Sequence, residues 1–183
     1  MDSSRAVVLV EGVSDKLALE TLAARRGRNL EAEGVAVVPI GGAQAIGRFL
    51  DRFGRRVRLA GLCDAGEERS FRRGLELAGF GPGLTRADME ALGFYVCEAD
   101  LEDELIRALG VDAVERIVER EGDLRSFRTL QKQPEWKGRD PHDQLRRFMG
   151  SGGRRKIRYA RLLVDALEPA DVPRPLDGVL AHV

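Results

Sequence analysis

Apolar and polar positions along the chain alternate between two rhythms. Four short apolar runs, Ala6–Val10, Val35–Ile40, Val57–Cys63 and Phe94–Cys97, read as β-strands. The first three are rich in Val, Leu and Ala with little alternation, the pattern of central strands covered on both faces. Helical spacing separates them. Leu17, Leu19, Leu22 and Ala23 form one apolar stripe, ending near Gly27. Ile46, Phe49, Leu50 and Phe53 form a second after the glycine turn Gly41–Gly42, and Phe71, Leu75 and Leu77 a third before the breaker-rich GFGPG. This alternation predicts an α/β, Rossmann-like fold with a mostly parallel four-stranded sheet between helices. Functional groups then belong at the carboxyl ends of the strands.

Beyond Asp100 the strand signal fades. Helices are expected at about Leu101–Leu109, Ala113–Glu121, Leu124–Lys132, Pro141–Met149 and Arg154–Leu167, followed by a proline-rich tail that should be irregular. The expected organisation is therefore a catalytic domain over 1–110, a helical extension over 111–168 and an irregular tail over 169–183.

Composition narrows the class. The chain has 183 residues, 43% apolar and 33% charged, as in soluble globular proteins. It has neither an apolar run long enough to cross a bilayer nor a signal-peptide pattern, so no membrane partner is expected. Cys63 and Cys97 each close an expected strand and read as reduced core thiols of a cytoplasmic protein. Thirty basic and thirty acidic side chains cancel, but they are unevenly spread. CEADLEDEL is acidic and RRFMGSGGRRKIRYAR is basic; each reads either as a solvated face or as part of a cation site beside a polyanion track.

Three expected strand ends carry acids: Glu11 with Asp15 a helical turn later, Asp64, and Glu98 and Asp100 with Glu102 in the next helix. Helix capping or solvation accounts for any one of Asp15, Glu67, Glu68, Glu102 or Asp103 taken alone. Glu11 fits that account worst, because it directly extends an apolar strand. Carboxylates gathered at one sheet edge repel unless a cation neutralises them or some stay protonated, and hard oxygen ligands suit magnesium or manganese.

VEGVSD followed by CDAG resembles the Toprim domain of topoisomerases, bacterial primases and several nucleases. The layout is most similar to the Toprim half of the OLD (overcoming lysogenisation defect) family of ATP-dependent endonucleases. Its opening of glutamate, glycine and a second acid is matched by Glu11, Gly12 and Asp15. PIGGAQAIGRFL resembles the family's segment after strand two, and Asp100–Glu104 its acidic helix start. Lys156 is the best match to a C-terminal lysine. Toprim domains commonly have a second aspartate two residues after the first; here Ala65 and Gly66 follow Asp64, and Glu67 is the available substitute.

The resemblance implies a Mg2+- or Mn2+-dependent DNA endonuclease with two ions held by Glu11, Asp15, Asp64, Glu67 and Glu102. It assigns catalytic roles to Glu11, Asp15, Asp64 and Lys156, with Arg154, Arg155 and Arg158 on the DNA backbone. Lys156 and its neighbours also fit an ordinary charged helix face. No Walker-type phosphate loop is present, so a stand-alone protein or one served by a separate ATPase subunit is expected; oligomerisation is left open. The competing readings are a regulatory module that binds metal or nucleic acid without turnover, and a Toprim-type RNA maturase.

Overall fold

A computed structural model describes residues 5–183 of the chain. Its strands are β1 (Ala6–Val10), β2 (Val35–Pro39), β3 (Arg58–Cys63) and β4 (Phe94–Val96). All neighbouring pairs are parallel, in the order β2-β1-β3-β4. Helices α1 (Val13–Arg25), α2 (Ile46–Phe53), α3 (Glu68–Leu77) and α4 (Arg86–Ala91) follow the first three strands. Then come α5 (Leu101–Leu109), α6 (Val111–Arg120), α7 (Leu124–Gln131), α8 (Pro141–Gly150), α9 (Gly153–Ala166) and α10 (Arg174–His182).

The apolar run of β1 has the physical basis expected of it. Ala6, Val8 and Val10 point into one core with α1 and the C-terminal helices. Val7 and Leu9 point into a second core with α2, α3 and α4. Because side chains alternate across a strand, both faces must be apolar. The helices beyond Asp100 share the first core with α1, which packs most extensively on α9.

The expected irregular tail is a correction. Pro169–Asp171 forms a short 3-10 turn and α10 runs on to His182. Pro175 lies in the first turn of α10, where a missing N–H costs no intrahelical bond. Leu176, Val179 and Leu180 are buried at i, i+3 and i+4, each contributing on the order of 2 kcal/mol. Gly178 approaches Tyr95 so closely that an added Cβ would lie 2.3 Å from its ring. Leu77 is a second departure: it is 78% exposed, because Gly74 rather than Leu77 completes the contact of α3 with α2.

Candidate active site

The strand order fixes where chemistry can gather. The connections from β1 and β3 diverge to opposite faces, so the carboxyl ends of these neighbours open a crevice, the usual ligand position in such sheets. Glu11 leaves β1 and Asp64 leaves β3 on its two sides. The Asp64 backbone N–H donates to Glu11 Oε1 at 2.9 Å across the gap. Asp15 stands in the first turn of α1, and its Oδ2 accepts the Gly12 N–H at 2.8 Å. It therefore does cap the helix, yet only 7% of it is exposed.

The acidic start of α5 divides by direction. Asp100 caps the helix through the Asp103 N–H at 2.8 Å and takes Arg146 Nε on its other oxygen at 2.7 Å. Asp103 turns to His142 and Arg107, and Glu104 to Arg107 and the Glu98 N–H. Glu102 turns inward. Its Oε2 lies 3.3 Å from Lys156 Nζ, while its Oε1 is buried with no hydrogen-bond partner. Lys156 sits in the first turn of α9, reached through Gly152 at φ +92°, a conformation that favours glycine. Glu11, Asp15, Gly42, Asp64, Gly153 and Lys156 line an open cleft of about 350 Å³.

The electrostatics are those of a site short of positive charge. Burial, then Glu11 and Asp15, push the Asp64 carboxyl up to about 8. Burial likewise raises Glu11, with Asp15 and Glu67 adding and the Asp64 N–H opposing. Asp15 and Glu102 are also raised, mainly by burial, against the pull of Lys156. Burial alone would lower the Lys156 ammonium; Glu102, Asp15 and Asp64 outweigh it and hold it above its ordinary value. A single lysine thus serves four acids.

Comparison with known proteins bears on the fold. Residues 4–58 match the family model "Overcoming lysogenization defect protein-like, TOPRIM domain". The C-terminal region of the Xanthomonas campestris pv. campestris OLD protein superimposes with a TM-score of 0.70 at 21% identity, over 98% of this chain and 94% of that one. The C-terminal region of the Burkholderia pseudomallei OLD protein does so with a TM-score of 0.70 at 18% identity, over 98% and 96%. The fold is that of an OLD-like Toprim domain. No curated protein matches the chain. The structural likeness extends through the helices beyond residue 58, so the sheet and its C-terminal helices recur together in both structures.

Within this fold the residues expected from sequence fall into three groups. Glu11, Asp15, Asp64, Glu102 and Lys156 meet around the cleft and its inner wall. Glu67 is half-buried just after Asp64 and lies near enough to raise Glu11. The arginines divide. Arg154 is exposed, next in sequence to Gly153 of the cleft lining, whereas Arg155 lies 4.1 Å over the Phe148 ring and bonds Ser151 Oγ at 2.8 Å. Arg158 pairs with Asp123 and lies over Tyr159. Two residues noted in the sequence but given no site role also contribute: Gly42, whose φ of +112° brings bare backbone to the cleft, and Asp100, whose charge raises Asp15, Asp64 and Glu102. The glycine pair and the aspartate before a helix were their visible signals.

The donor set suits a hard divalent cation in chemistry but is not closed. All its ligand atoms are carboxylate oxygens, and Glu102 Oε1 lacks any partner. Among the described residues, no three acidic, His or Cys side chains stand close enough together to hold a metal ion as they are placed.

Proposed function

We propose that this Toprim domain hydrolyses phosphodiester bonds of DNA with Mg2+ or Mn2+ bound at the cleft. The observation that carries the reading is the Glu102 carboxylate, buried with one oxygen unpartnered, beside three further acids whose mutual repulsion calls for a cation. Glu11, Asp15, Asp64 and Glu102 would hold two ions, with Glu67 supplying the oxygen that the Toprim pattern commonly takes from a second aspartate. Ions held there would supply Lewis acidity toward the attacking water and the leaving oxygen.

The chain's own groups would do the rest. The Asp64 N–H keeps Glu11 turned toward the crevice, and the Gly12 N–H does the same for Asp15. Lys156 brings a half-buried ammonium to the cleft, where phosphoryl oxygens gain charge in the transition state. Arg154, exposed next to Gly153 of the cleft lining, would receive the strand's backbone.

A second reading has its own support. With the coordination shell open and Lys156 already paired to Glu102, the fold could bind metal or nucleic acid without turnover. Incubating the protein with supercoiled plasmid and with labelled structured RNA, in Mg2+, Mn2+ or chelator, separates these possibilities. Metal-dependent plasmid nicking that is lost in Glu11→Gln supports the proposal. Cleavage confined to RNA assigns a maturase instead, and metal binding with no cleavage of either substrate assigns the regulatory module. Nicking that needs a separate ATPase subunit would place that partner in the active assembly.

A further inference from the structure

Six arginines on α2, α3 and the turn after α2 make no ion pair or hydrogen bond among the described residues: Arg48, Arg52, Arg56, Arg69, Arg72 and Arg73. All are exposed except the half-exposed Arg72. Arginines elsewhere are more often tied, as Arg86 is to Glu68, Arg107 to Glu98 and Arg128 to Glu115. The acids of this layer do little to balance the six. Glu68 is taken by Arg86 and Glu76 by the Leu84 N–H, leaving the exposed Asp51 and, at the start of α3, Glu67. Arg48 and Arg52, and again Arg69 and Arg73, stand four residues apart within a helix, a spacing at which like charges repel. Apart from Arg52, whose guanidinium lies 5.5 Å over the Phe53 ring, the fold gains nothing from this repetition.

The position of the two helices gives it a use. A 3-10 turn, Ala43–Ala45, leads from Gly42 at the cleft into α2, and another, Ala65–Glu67, leads from Asp64 into α3. Gln44 Nε2 donates to Ser70 Oγ at 2.9 Å between these beginnings. One turn on, Gly74 packs so tightly on Ile46 that a Cβ would lie 2.6 Å from its Cγ2. The two helices therefore form a rigid pair that starts at the candidate active site. Their apolar residues Ile46, Leu50, Phe71 and Leu75 are buried beneath them. The exposed Leu77 lies at the far end of α3, so no apolar wedge accompanies the arginines, as a membrane-seated helix would require.

We propose that the outer face of α2 and α3 is a backbone-docking surface for nucleic acid, on the opposite side of the cleft from Arg154. This rests on the reading of the cleft as a phosphodiesterase site. Guanidinium groups without ion-pair or hydrogen-bond partners suit phosphate oxygens and read no sequence. A strand crossing the cleft would be held by α9 on one side and by α2–α3 on the other.

Binding of a short labelled DNA duplex, followed by fluorescence anisotropy in chelator over a salt series, tests the surface apart from catalysis. The full chain carrying Arg48→Ala, Arg52→Ala, Arg69→Ala and Arg73→Ala should lose about ten-fold or more in affinity, and its dependence of log K on log salt should flatten by about 0.9 for each phosphate contact removed. Arg116→Ala with Arg120→Ala, an exposed arginine pair on α6 without ion partners, is the control and should stay within about two-fold of wild type. Circular dichroism confirms that each variant is folded. Unchanged affinity and slope in the α2–α3 variant, or an equal loss in the control, overturns the proposal. So does tighter binding to phosphatidylserine-containing vesicles than to duplex. If wild type binds duplex through this face but cleaves nothing with metal, the docking surface stands and the hydrolytic reading falls.

Discussion

Replacing Asp64 by Asn should make the metal-free protein more stable at neutral pH, not less. The Asp64 carboxyl lies near 8 in the folded state, against an ordinary value of 3.8. A carboxylate with a raised folded value favours folding only while protonated, so its penalty is absent below pH 3.8, grows as pH rises and is complete above about 8. Each unit between them is worth about 1.4 kcal/mol, which gives roughly 4 kcal/mol at pH 7 before allowance for exposure. The cleft is open and neighbouring acids share the strain, so about 2–3 kcal/mol is the working figure. No bond of the Asp64 side chain is sacrificed, since its backbone N–H is what holds Glu11. Urea unfolding in chelator should therefore place Asp64→Asn about 2–3 kcal/mol above wild type at pH 8 and level with it at pH 4. Adding Mg2+ or Mn2+ should raise wild type and narrow the gap. An Asp64→Asn variant that is less stable at pH 8, or a difference that does not change with pH, would refute the electrostatic account of the cleft.

Other perturbations follow from the same geometry. Lys156→Ala should lower the cleavage rate much more than DNA affinity, measured by single-turnover kinetics beside anisotropy; equal losses would make it a backbone contact only. Glu102→Gln should be tolerated by the metal-free fold, because an amide suits a buried site better than an unpaired carboxylate oxygen, while metal affinity measured by calorimetry falls. Gly61→Ala should destabilise the protein by about 2–4 kcal/mol in urea unfolding, since the added Cβ would lie 2.5 Å from Phe94 and 3.1 Å from the Leu9 carbonyl.

The parts of the fold that could be read from sequence were those where one local pattern had one meaning. β1 is buried on both faces, so five apolar residues in a row could not be a surface strand. Glu11 was conspicuous because it continued that run, and Asp64 because it ended another. The helix α4 was hidden in a glycine-rich stretch, although Thr85 and Asp88 cap each other there in a recognisable box. The helix α10 was obscured by prolines that in fact begin it. What could not be read was the sorting of like residues by partners distant in sequence. Glu102 faces Lys156 while Asp103 and Glu104 face Arg107, a division set by how α5 packs on α8 and α9. Arg155 and Arg158 are drawn to Phe148 and Asp123 in the same way, leaving Arg154 exposed.

The account stands most directly on whether the acids at the sheet edge are a cation site. Titrating Mn2+ into the protein at pH 7, by calorimetry in buffers of different ionisation heat, measures both binding and the protons it displaces. With Asp64 near 8 in the absence of metal, binding should release a proton, and Asp64→Asn should abolish that release. Absence of binding, or binding whose heat is the same in every buffer, would contradict the account.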